Sequence, residues 1–181
     1  MQLHLLSKTP CLSIYYDSKN NWLFLDWEGE LTLPAVQVAC VELARCFLHR
    51  PYPRVLNNNT QVTGVSWSVA TWLVREFLPH LPLAGVEQVA WVSSASLLGR
   101  NMVQTVVNWL PWLSATLFDD LEAAVHWLRQ VQTSGTTGFL LPQRLPATQA
   151  KLAQTVQELQ RKVAAAAPPH QPVARRWSGL A

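Results

Sequence analysis

Two periodicities take turns along most of this chain. Short runs of alternating or continuous apolar residues give way to stretches with apolar residues at three- and four-residue spacing. Cys11–Asp17 and Asn21–Trp27 are β-rich and flank Ser18-Lys19-Asn20, a spacing that predicts an antiparallel hairpin. In the second run Leu23, Leu25 and Trp27 point one way and Trp22, Phe24 and Asp26 the other, so both faces are largely apolar. Thr32 and Pro34 mark a helix start, and Val36, Cys40, Leu43 and Phe47 form its stripe to about His49. Pro51-Tyr52-Pro53 stops that helix. Arg54–Asn57 reads as a short third strand, and the polar run Asn57-Asn58-Asn59-Thr60-Gln61-Val62-Thr63-Gly64 as the loop after it. Ser66 then caps a helix to about His80. Val86–Val92 is a fourth strand, apolar enough to be covered on both sides. Leu98, Met102, Val106 and Trp109 make a third helical stripe ended by Pro111. Ala115–Phe118 is a fifth strand, and Asp119 or Asp120 caps a last helix with Leu121, Ala124, Val125 and Leu128 inward.

The order β-β-α-β-α-β-α-β-α predicts an α/β fold. Successive crossovers demand parallel strands with right-handed connections, and the hairpin adds one antiparallel edge. The reading is a mixed five-stranded sheet with four covering helices over residues 11–131, preceded by a lead of residues 1–10. Residues 132–146 are rich in Ser, Thr, Gly and Pro and read as a flexible linker. Residues 147–167 are helical by composition, with Leu152, Val156, Leu159 and Val163 as a coiled-coil-like seam. Two heptads are marginal alone, so this helix is expected to pair with something, a second copy included. Residues 168–181 read as a disordered tail.

Charge sharpens this division. The formal net charge of +3 is segregated: residues 1–132 carry eight Lys/Arg against ten Asp/Glu, and residues 133–181 carry six against one. The basic positions are dispersed in the tail, with no aromatic interleaving before Trp177, so a nucleic-acid surface is not expected. Cys11, Cys40 and Cys46 lack any ligand spacing and read as buried thiols of a reducing compartment. The N-terminus has no charged region before its short apolar run, and Gln104, Asn108, Pro111 and Ser114 interrupt the most apolar stretch. A cytoplasmic protein with no membrane span is the expectation.

Candidate chemistry is sparse. The five His are scattered, so no metal site and no cofactor are expected. Asp26, Glu28 and Glu30 share a strand face, but no nearby His or Lys completes a mechanism. Thr133-Ser134-Gly135-Thr136-Thr137-Gly138 matches the phosphate-cradling loop of acyl-adenylate-forming enzymes, yet lacks the Lys they require. The Asn57–Gly64 run is the main candidate. At the carboxyl end of a parallel strand it offers amides to an anion or peptide, unless its Asn side chains only satisfy their own turn. Trp109-Leu110-Pro111-Trp112-Leu113 is the second, two indoles flanking a proline where an apolar pocket or interface would form.

The strand-helix order, the polar run after the third strand, Trp67 and Trp72, Ala90-Trp91-Val92, and Phe118-Asp119 leading to Trp127-Leu128 together resemble the STAS superfamily. Its SpoIIAA-like branch of small bacterial domains is the nearer likeness, and some relatives are classed with lipid-binding SEC14-type domains. The resemblance implies a non-enzymatic regulatory module that docks a protein partner. Asn57, Asn58, Asn59, Thr60 and Thr63 would supply the hydrogen bonds. It further implies phosphorylation of Ser66 or Ser68 at the start of the following helix, although Val65 and Trp67 stand where the family places an Asp before its Ser. The alternative is a small carrier of an apolar, lipid-like ligand, with Trp109 and Trp112 as pocket wall.

Overall fold

Six strands, not five, make the sheet. A computed structural model describes residues 1–93, 97–110, 113–133 and 144–166. The additional strand is β1 (Leu3–Lys8), followed by β2 (Leu12–Asp17), β3 (Trp22–Leu31), β4 (Arg54–Val65), β5 (Gln88–Val92) and β6 (Ala115–Phe118). They lie side by side in chain order. The β1–β2 and β2–β3 pairs are antiparallel, and the pairs from β3 to β6 are parallel. The antiparallel edge is thus two strands wide, and the segment expected as a lead belongs to the sheet. Asp17 anchors it: its carboxylate accepts from the Gln2 amide at 3.0 Å and from the Asn20 side chain at 2.6 Å.

The helices are α1 (Leu33–His49), α2 (Trp67–Trp72), α3 (Leu97–Trp109), α4 (Leu121–Gln130) and α5 (Pro146–Ala166). α2 runs on through a π-helical turn (Leu73–Phe77) and a 3-10 turn (Leu78–His80), so the helical course to His80 expected from Ser66 is present in three geometries. Strand alternation then divides the core. Leu23, Leu25, Trp27 and Val55 join α1, α2, α3 and α5 on one face. Trp22, Phe24, Leu56, Ala90 and Val92 pack against Ala124 and Leu128 of α4 on the other.

α5 completes the first face. Leu152, Val156 and Leu159 are buried in the same core as Phe47, Phe77 and Leu81, so the apolar seam finds its partner within the chain. Two hydrogen-bonding groups fix its start. Gln149 donates to the Leu48 carbonyl at 3.0 Å, and Arg144 donates to the Phe47 carbonyl at 2.6 Å and to that of Ala84. The Phe47 and Leu48 carbonyls belong to the last turn of α1 and have no partners along their own helix, and Ala84 lies in the turn before β5.

Candidate functional site

The polar run read as a loop is the second half of a strand. β4 pairs with β5 only from Arg54 to Asn58 but follows β3 as far as Val65, so the strand beyond Asn58 keeps one ladder. Bulges between Asp26 and Glu28 and between Gly29 and Glu30 absorb the mismatch, with Gly29 at φ 75°. A side chain is strained in that left-handed conformation. Asn is depleted from strands by propensity, and here side-chain bonds to neighbouring strands compensate.

Alternation assigns the three Asn to two faces. Asn58 points with Asp26: its amide nitrogen donates to Asp26 Oδ1 at 2.8 Å, and its oxygen accepts from the Thr60 amide at 3.3 Å. Asn57 and Asn59 point to the α1–α3 side. Asn57 Oδ1 accepts from Trp27 Nε1 at 2.8 Å. Asn59 Nδ2 donates to the Val92 carbonyl at 3.1 Å, standing in for a backbone amide at the end of β5. All three are buried. Thr60 and Thr63 are exposed.

Above Asn57 and Asn59 lies a partly open cavity of about 110 Å³. Leu25, Asn57, Trp91 and Leu117 are register neighbours across β3–β6, and the first three of them form part of its floor. Val36, Cys40 and Phe47 of α1 form one side, and Met102, Val103 and Val106 of α3 another. Val69 and Ala70 of α2 and Leu73 and Phe77 of the π-helical turn close it. Such turns widen a helix locally and recur at functional sites. Among the described residues Asn57 and Asn59 are the only amide side chains in the lining, and none of the lining residues is charged.

The aromatic residues of this cavity are Trp27, Trp91, Phe47 and Phe77. Trp109, expected as pocket wall, is 51% exposed and takes no part in it. Its helical stripe is served instead by Met102 and Val106, which are buried while the indole lies beyond them. Trp112 lies outside the described residues, as do Ser134–Gly138, Arg175 and Arg176. Sequence periodicity alone missed Trp27 and Trp91, because a Trp on an apolar strand face reads the same whether it fills a core or lines a void.

Ser66 occupies the N-cap position of α2 with extended backbone, but its side chain makes no capping bond. Its hydroxyl lies 2.7 Å from that of Ser68. Both are exposed, and Trp67 between them is 50% exposed. Glu28 and Glu30 are exposed, and Asp26 accepts from the Asn58 side chain rather than from a His or Lys. Cys11, Cys40 and Cys46 are free and buried; burial pushes the Cys46 thiol up to about 11, with Glu42 adding to it. Among the described residues no group of His, Cys, Asp and Glu is placed to hold a metal ion, and no helix is long and apolar enough to cross a membrane.

The family model described as SpoIIAA-like matches residues 23–129, from β3 through α4 and so across both walls of the cavity. The chain belongs to the SpoIIAA-like family. The fold is that of STAS-type regulatory domains, which are generally non-enzymatic. Among solved structures, an uncharacterised protein with a SpoIIAA-like fold from Shewanella loihica is 21% identical, with a TM-score of 0.46. That alignment covers 68% of this chain and 98% of the other. No curated protein matches. The family match ends before α5, so the helix that closes the core behind the cavity lies outside the matched region.

Proposed function

We propose that this SpoIIAA-like chain is a non-enzymatic binding module that holds a small apolar molecule between its sheet and α1–α3. The observation that carries this reading is the cavity: a partly open void of about 110 Å³ with an apolar lining apart from Asn57 and Asn59. Close packing is the rule in protein interiors, and voids of this size are few. Apolar cavities of comparable volume stay dry and take up small apolar compounds. Half-buried Val62, Val65, Leu73 and Val103 give the ligand a route at the rim. Paired native and denaturing mass spectrometry of the full chain tests it. A small-molecule adduct, present natively and absent after denaturation, is expected, and Val103→Phe should abolish it. A bare chain whose melting temperature no medium-chain apolar compound raises would overturn the reading.

A second reading, docking of a protein partner, is favoured by the start of α2. Ser66, Trp67 and Ser68 are exposed together, and they follow directly on the strand that carries the exposed Thr60 and Thr63. A half-exposed Trp is a common interface anchor, and phosphate on Ser66 or Ser68 would add charge there. The buried Asn57, Asn58 and Asn59 would then position β4 rather than touch the partner. Ser66→Asp and Trp67→Ala should each weaken capture of such a partner; unchanged capture in both would remove this surface from consideration.

A further inference from the structure

The two cavity amides have fixed orientations. An indole N–H only donates, so the Asn57 atom 2.8 Å from Trp27 Nε1 is its oxygen. A backbone carbonyl only accepts, so the Asn59 atom 3.1 Å from the Val92 carbonyl is its nitrogen. The amide atoms left with no bond at all are the nitrogen of Asn57 and the carbonyl oxygen of Asn59, neither with a hydrogen-bond partner among the described residues. Nor is either enclosed without access: the buried, partnerless side-chain polar atoms lie on Trp22, Arg50, Arg54, Trp91 and Arg144. Both Asn residues line the cavity and are otherwise buried, at 7% and 8% exposure. The space these two atoms reach is therefore the cavity.

One donor and one acceptor thus stand two residues apart on the same face of β4, roughly 7 Å along the strand. A single group that offers both an acceptor and a donor, flanked by two hydrogen bonds of about 3 Å, spans that distance. Among the described residues no charged side chain lines the cavity to compensate an ionised head, and an unpaired buried charge is strongly disfavoured. Resting on the reading that the cavity takes an apolar molecule, we propose that its ligand is uncharged and carries one donor-and-acceptor head, a carboxamide or undissociated carboxyl. That head accepts from Asn57 Nδ2 and donates to Asn59 Oδ1, while the tail lies against Trp91, Met102 and Val106.

Calorimetric titration of the full chain with hexanamide, methyl pentanoate and hexanoate, matched in heavy-atom count, tests this at neutral pH. Hexanamide should bind roughly tenfold more tightly than methyl pentanoate, which lacks the donor. Hexanoate, ionised, should bind more weakly than either. Asn59→Leu should lower hexanamide affinity to that of the ester, and if it fails to fold, the ligand series on the unaltered chain decides alone. Equal binding of amide and ester, or tight hexanoate binding, would overturn the head-group assignment while leaving the cavity reading intact. Binding of none of the three would overturn both.

Discussion

Trp27 and Asn57 sit on adjacent parallel strands, and the indole N–H of one donates to the amide oxygen of the other at 2.8 Å. The bond is buried and lies at the wall of the cavity. Trp27→Phe keeps an aromatic ring but leaves Asn57 Oδ1 without its donor. It should destabilise the fold by about 1–3 kcal/mol, the cost of an unsatisfied buried acceptor. A cycle with Asn57→Leu, read by urea denaturation, should give a coupling of about 1 kcal/mol. Additivity within about 0.3 kcal/mol would show that the bond contributes nothing.

Arg144 joins α5 to the end of α1 and to the turn before β5. Its guanidinium serves the Phe47 and Ala84 carbonyls and the Gln149 side chain. Arg144→Ala should cost about 1–3 kcal/mol, and Arg144→Lys should recover little, since one ammonium lacks the planar fork. Hydrogen exchange would report it as faster exchange of α5 amides, with those of β3 and β4 unchanged.

Asp17 gives the fold an acid-sensitive contact. Burial pushes its carboxyl up, but the Asn20 side chain and the amides of Gln2, Asn20 and Lys19 outweigh that and hold it below the usual value. A carboxyl lowered on folding stabilises fully above its unfolded value of about 3.9, and that contribution is lost as pH falls through the folded value. Asp17→Asn should therefore be less stable than the unaltered chain at neutral pH by about 1–2 kcal/mol. The gap should narrow below about pH 4. A gap independent of pH would separate the role of Asp17 from its charge.

The thiols should be inert while the fold persists. Burial raises Cys11, Cys46 and, most strongly, Cys40, and only the thiolate is nucleophilic. An aromatic disulfide reagent at mildly alkaline pH should label none of the three rapidly in the native protein and all three in denaturant. Rapid labelling of a single thiol would reveal local opening around it.

The sequence carried the helices well, because the stripes of α1 and α4, and Met102 and Val106 of α3, coincide with residues that joined the core. It carried β2, β3, β5 and β6 for the same reason. β1 was hidden because a bulge between Leu5 and Ser7 breaks its period and both its faces are solvated. β4 was cut short because Asn argues against a strand, whereas its bonds come from Trp27, Asp26 and Val92, distant in sequence. The cavity was illegible for a deeper reason. Apolar pattern says which residues leave water, and it is silent on whether their summed volumes fill the space they enclose.

α5 gives the order of synthesis a structural meaning. It is made after every strand and after α1 to α4, yet Leu152, Val156 and Leu159 cover Phe47, Phe77 and Leu81. A chain interrupted before Pro146 would hold a complete sheet with that aromatic and aliphatic surface open to water. Chaperones and proteases recognise such surface, so a copy interrupted there carries its own mark for them, and α5 is the segment that removes it.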